Sequence, residues 1–234
     1  QMWDKALGFY RIAARETQRP ELRHDSMYRC GNVQMQLGRR KDAEETFRSL
    51  QVLQGVKPLL RQSAVFAIAQ MKVEDGDDAA AYAQFRNLLN MTELDAEIAG
   101  KATLQAARLA ARLGHNDESQ QLYAKLTRMP GMGKYAAEAQ MERILALFKQ
   151  HKYAEVVALA ESAHAPLEDA AKEARRDVIV GQSCLETKAY GKAVDWFAAA
   201  EKAQPQTALA ADAGYRRIIC AQQVQGTTFC HIAQ

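Results

Sequence analysis

In Lys41–Leu50 the apolar residues Ala43, Phe47 and Leu50 fall at i, i+4 and i+7, with charged and polar residues filling the gaps. That spacing places the three on one face of an α-helix. Ala81, Phe85 and Leu88 repeat the pattern, and so do Ala193, Phe197 and Ala200. No β-branched run with period-two alternation occurs, so no strand is predicted. The pattern also recurs along the whole chain every 37 or 38 residues, on anchors at Gln1, Gly38, Gly76, Gly114, His151, Lys188 and Gly226. Five positions after the anchors stand Ala6, Ala43, Ala81, Ser119, Val156, Ala193 and His231, and nine after stand Tyr10, Phe47, Phe85, Tyr123 and Phe197, with Ala160 in one copy. A fixed period of this length marks a solenoid, whose units bury their apolar faces only by stacking on neighbours.

Each unit then holds two helices. Helix A is long and rich in Ala, Leu and Met, as in Leu59–Val73, Ala96–Leu113 and Leu167–Glu186. The anchor is the tight turn after it, with Gly38 and Gly114 suited to the left-handed position past a helix C-terminus. Helix B carries the small/aromatic/small face. All five prolines (Pro20, Pro58, Pro130, Pro166, Pro205) fall 15 to 20 residues after an anchor, where helix B ends and the next helix A begins. Proline suits a first helical turn and blocks continuation of the helix before it. Seven positions before the anchors stand Gly31, Ala69, Ala107 and Gly181, with Ile144 and Ile219 as exceptions. A small residue there lets helices A and B approach closely.

The expectation is an all-α, right-handed superhelical solenoid of antiparallel hairpins with about 12 helices. It forms a single unit over 1–234, with five complete pairs at roughly 20–54, 57–90, 94–129, 131–164 and 166–202. The chain is expected to open on an unpaired helix B (Asp4–Thr17) and to close, past a turn at Gly226, inside another at Thr227–Gln234. That phase reads as a piece of a longer superhelix.

Composition changes this picture little. The chain has 234 residues, 48% of them hydrophobic and 25% charged, as in ordinary folded proteins. A net charge of +3 and interspersed acidic runs such as Glu74–Asp78 argue against a nucleic-acid stripe. No apolar run approaches the ~18 residues of a membrane span. Cys30, Cys184, Cys220 and Cys230 show no CxxC and no metal-ligand spacing, so buried small hydrophobes are the natural reading. Cys220 and Cys230 flank the expected Gly226 turn, which leaves a disulfide between them open.

The small residue in mid helix A, the turn glycine, the small residue in helix B, the aromatic four later and the proline-bearing junction resemble the tetratricopeptide repeat. Gly31…Gly38…Ala43…Phe47, Ala69…Gly76…Ala81…Phe85 and Gly181…Tyr190…Ala193…Phe197 carry the likeness. The period exceeds that family's usual ~34 residues. Longer repeats of this kind resemble those of bacterial cell-envelope proteins, which points to the periplasm or envelope rather than the cytoplasm. The resemblance implies that ligands lie in a concave groove lined by A helices. Carried over, the groove positions are Asp25, Tyr28, Asn32 and Met35; Ser63, Phe66, Gln70 and Val73; Lys101, Leu104, Arg108 and Ala111; Glu138, Met141, Leu145 and Phe148. Of these, Tyr28, Asn32, Met35, Phe66, Gln70, Lys101, Arg108 and Met141 form the expected partner-binding set. The family's clamp for chaperone C-terminal carboxylates is not reproduced, with only Asn32 and the pair Lys101/Arg108 similar to it.

No catalytic motif competes with that reading. The five histidines (His24, His115, His151, His164, His231) make no metal or zinc-protease spacing. GxSxG, P-loop and GxGxxG motifs are absent, and Gly131-Met132-Gly133 follows a helix rather than a strand. The expected function is a non-catalytic scaffold for a protein or peptide partner, with no cofactor, no metal, no nucleic acid and no direct membrane insertion. The alternatives are the helical superstructure of an envelope enzyme or export machine whose active domain lies elsewhere, and a helical-repeat nucleic-acid binder.

Overall fold

A computed structural model of the chain describes residues 2–162 and 167–232, with side chains throughout except at 134 and 226–232. The elements are α1 (Met2–Glu16), α2 (Pro20–Gln36), α3 (Arg40–Val52), α4 (Pro58–Glu74), α5 (Asp78–Leu89), α6 (Ala96–Arg112), α7 (Asn116–Thr127), α8 (Gly133–Lys149), α9 (Tyr153–Ser162), α10 (Ala170–Glu186), α11 (Tyr190–Ala203) and α12 (Ala208–Ile232). There is no strand among the described residues. The helices fall into two compact units, Gln1–Leu122 and Tyr123–Gln234. The fold is an all-α solenoid of helix hairpins.

Five anchors make the same turn. Gly38, Gly76, Gly114, His151 and Lys188 all have positive φ, between 57° and 81°. In each, two amides past the helix bond back to its last turn. At Gly38 the pair is Gly38 N–H to Met35 O (3.0 Å) and Arg39 N–H to Gln34 O (2.8 Å); at Lys188 it is Lys188 N–H to Leu185 O (3.0 Å) and Ala189 N–H to Cys184 O (2.8 Å). This paired arrangement satisfies carbonyls that a helix end otherwise leaves orphaned. At the opposite end of the hairpins, Pro20 and Pro58 open α2 and α4 as first-turn residues. Asp95 and Asp169 cap α6 and α10 by accepting from the amides of Glu97 and Ile98, and of Ala171 and Lys172. Pro166, with Ala163 and His164, lies outside the described residues.

The small-on-large pairing between A and B helices sets the core. A Cβ added at Gly31 would lie 2.6 Å from Phe47 Cε1, and one at Gly181 would lie 2.8 Å from Phe197 Cε1. Both rings are fully buried. In the second unit Ile144 takes the small-residue position, and Ala160 takes the aromatic one. Both are buried in the same core with Val156, Val180 and Cys184, so bulk is exchanged between helices rather than lost.

The end of the chain differs from expectation. α12 runs without interruption from Ala208 to Ile232, so no turn forms at Gly226 and no separate helix begins at Thr227. A lone glycine weakens a helix interior by only about 1 kcal/mol, and no proline follows it. Cys220 and Cys230 therefore share one helix. Ten residues of α-helix rise about 15 Å, far beyond the Cα separation a disulfide tolerates. Cys30, Cys184 and Cys220 are free, buried thiols.

Candidate partner-binding surface

Helices α2, α4 and α6 lie side by side in the first unit, α2 against α4 and α4 against α6. Residues at i, i+3, i+7 and i+10 share a helix face, so Asp25, Tyr28, Asn32 and Met35 line one stripe of α2. Ser63, Phe66, Gln70 and Val73 line the matching stripe of α4. The other side of α2 turns Cys30, Gly31 and Gln34 into the interior. Core aromatics hold the two stripe aromatics in place. Tyr28 leans on Phe47 with ring centroids 5.7 Å apart, and Phe66 meets Phe85 edge-on at 5.4 Å. Such pairs contribute roughly 0.5–1.5 kcal/mol beyond area burial. The half-buried rings are thus fixed before any partner arrives.

Two cavities open along these stripes. One, of about 570 Å³, is lined by Leu22, His24, Tyr28, Asn32, Leu59 and Leu60 among others. The other, of about 430 Å³, is bordered by Trp3 of α1 and by Asn32, Met35, Phe66 and Gln70. Asn32 borders both and is exposed. Five of the eight expected residues, Tyr28, Asn32, Met35, Phe66 and Gln70, are brought together in this way.

The first cavity's rim carries balanced charge. Arg29 Nε donates to Asp25 Oδ2 at 2.7 Å, and Lys57 Nζ lies 3.3 Å from Glu21 Oε2. The bond from Asp25, helped by Tyr10, raises the Arg29 guanidinium above its ordinary value. Both pairs are half or more exposed, so they contribute little stability. They do remove free charge from the site.

The remaining three residues stand apart. Lys101 is exposed on α6 and pairs with Glu97 at 3.1 Å, and Arg108 is half-buried on the same helix. Met141 belongs to the second unit. It is only 8% exposed and packs with Ala137 and Leu167, with Leu145 and Ile179 alongside, so it is a core side chain there.

Among the cavity residues, Trp3, Leu22, His24, Leu59 and Leu60 carry no mark in the repeat pattern. His24 falls fourteen residues before its anchor, where the next repeat has Gln62. Gln62 is buried and spans a junction, donating to Glu93 O at 3.0 Å and accepting from Asp95 N–H at 3.0 Å. The repeat alignment supplies that equivalence, although it does not show which face is open.

Other chemistry is sparse among the described residues. No group of three or more His, Cys, Asp and Glu side chains is placed to hold a metal ion. No helix is long and apolar enough to cross a membrane. In the second unit Arg176 and Asp177 are both buried; Arg176 Nε donates to Asp177 Oδ1 at 2.9 Å, and its NH2 reaches Glu173 at 3.1 Å. Burial pushes the Cys184 thiol up to about 11, with Glu161 adding to the effect.

The chain is similar in structure to BtubC (BKLC) from P. vanneervenii, at a TM-score of 0.59 and 12% identity over 87% of this chain and 91% of that one. It is similar to the apo form of RapI at a TM-score of 0.63 and 10% identity, over 99% of this chain and 74% of that one. The fold is a TPR-like helical repeat. A tetratricopeptide repeat protein from Parabacteroides merdae aligns over 92% of both chains with 18% identity, at a TM-score of 0.38 that carries no argument. No protein-family model matches the sequence, and no curated protein matches it.

Proposed function

We propose that the chain is a non-catalytic scaffold that binds a protein or peptide partner along the A-helix stripes of α2 and α4. The observation that carries this reading is the pair of adjoining cavities that share exposed Asn32 and expose Tyr28, Met35, Phe66 and Gln70 along their walls. Amides beside half-buried aromatics and a methionine suit an extended peptide or one face of a partner helix. Such surfaces combine apolar anchor pockets with a few hydrogen-bonding groups that fix register. Lys101 and Arg108 on the neighbouring α6 lie beyond the two cavities, where they could make further polar contacts with a long partner. The TPR-like fold supports the reading, because helical repeats present extended surfaces of this kind. The period of 37 or 38 residues supports grouping the chain with long-period repeats of bacterial envelope proteins.

The test is a selection of displayed random peptides on the intact chain, followed by anisotropy titration. Asn32→Arg places bulk and charge between the cavities and Gln70→Glu places a charge in the second, and each is expected to weaken the selected peptides at least tenfold. Val52→Asp, at a site 82% exposed at the end of α3, is expected to leave affinity unchanged. Equal affinities for all three variants would reject the α2–α4 surface.

A further inference from the structure

The larger cavity holds one group that the partner-binding reading leaves unexplained. His24 is only 6% exposed and lines that cavity, yet among the described residues neither ring nitrogen has a hydrogen-bond partner. An imidazole carries one donor and one acceptor in its neutral form, and both are available to a group that enters the cavity. The repeat shows how this position is otherwise satisfied. Gln62, in the same register, ties both amide atoms to the backbone of the following junction. His24 does not make that tie and is left facing the cavity.

The rest of the lining narrows what fits. Leu22, Leu59 and Leu60 supply apolar walls, and Leu22 and Leu59 are each at least half exposed. The rim charges are already engaged as Arg29–Asp25 and Lys57–Glu21, so no uncompensated charge awaits an ionic ligand. A flat apolar body ending in one hydrogen-bonding tip meets both conditions, because its ring covers the leucines while its tip reaches the imidazole. The volume of about 570 Å³ admits such a side chain together with its flanking backbone.

We propose that this cavity is a subsite for a phenol, the side chain of a tyrosine on the partner peptide, with its hydroxyl hydrogen-bonded to the His24 ring. The proposal rests on the α2–α4 partner surface and specifies which side chain that surface reads. A site built around a hydrogen bond discriminates against the analogue that lacks it, because the protein group is then left unpaired.

The test uses 4-methylphenol and toluene as probes on the full chain, followed by amide chemical shifts of α2 and α4 and by the His24 ring signals. Saturable shifts are expected at Tyr28, Leu59 and His24, with 4-methylphenol binding about tenfold more tightly than toluene. In His24→Gln the new amide copies Gln62 and bonds to the junction at Gly55 and Lys57. That variant is expected to fold with unchanged or higher thermal stability and to bind the two probes equally. His24→Leu, which keeps the bulk and removes both nitrogens, is expected to give the same equality. Equal binding of the probes to the wild-type chain overturns the proposal, as does a preference that survives both variants or shifts that never saturate. None of those outcomes touches the peptide titrations with Asn32→Arg and Gln70→Glu, so the wider surface stands or falls separately.

Discussion

Replacing Gly31 by alanine sets two effects of known size against each other. Alanine in a helix interior gains about 1 kcal/mol over glycine. Against that gain, the new Cβ would lie 2.6 Å from Phe47 Cε1, 2.8 Å from Cζ and 3.1 Å from Cδ1. Phe47 is fully buried and cannot swing aside into solvent, and Tyr28 leans on it from the other helix. Overpacking of this kind costs about 1–3 kcal/mol, so a net loss of about 1 kcal/mol is expected. For a chain of this size that lowers Tm by about 2–4 °C. Gly8→Ala in the interior of α1 is the internal control, since a Cβ there meets nothing within 4 Å. It should raise Tm by a similar amount. Gly31→Ala combined with Phe47→Leu should lose less than the sum of the two single losses, because the side chain that clashes is then smaller. Thermal unfolding followed by circular dichroism reads all three. If Gly31→Ala stabilises as much as Gly8→Ala, the close approach of α2 and α3 is refuted.

Further outcomes follow from the same geometry. Lys188 is exposed and sits at φ 60°, where a side chain costs about 1–2 kcal/mol, so Lys188→Gly should raise Tm by a few degrees in the same assay. Arg176→Ala leaves Asp177 buried without its guanidinium and should cost about 3–5 kcal/mol, seen as a lower denaturant midpoint. Cys184 is raised from 9.0 to about 11 by burial, so the folded chain retains a proton there that the unfolded chain releases. Its contribution to stability is complete below pH 9.0 and declines as pH rises towards about 11. Urea titrations at pH 8 and pH 10.5 should therefore differ more for the wild type than for Cys184→Ala.

The recurring spacing made much of the fold legible. Ala43, Phe47 and Leu50 identify the buried face of α3 from sequence alone, and all three are fully buried. The anchors mark the interhelical turn even where glycine is missing, as His151 and Lys188 adopt the same backbone as Gly38. Ile144 departs from the small-residue pattern, and its partner Ala160 in the same core departs from the aromatic one in compensation. A second left-handed position is legible only in retrospect. Gly55, Glu93, Gly131 and Gln206 all have positive φ at the junctions from helix B to helix A. Two of the four are not glycine, which hid the pattern. Gly226 misled because a glycine permits a turn without requiring one. The site was less legible than the fold, since periodicity assigns a residue to a face while neighbouring helices decide whether that face is open. Met141 and Phe66 hold equivalent registers, yet Met141 folds into a gap beside Leu167 and Phe66 stays half exposed. His24 and Trp3 enter the cavities through neighbours that no local spacing reveals.

The most direct measurement is site-specific photocrosslinking of a bound, display-selected peptide from two positions in turn: Asn32 between the two cavities, and Val52 at the end of α3. A partner held along α2 and α4 gives crosslinks from Asn32 and none from Val52. Crosslinks from Val52 alone, or in equal yield from both positions, would contradict the account.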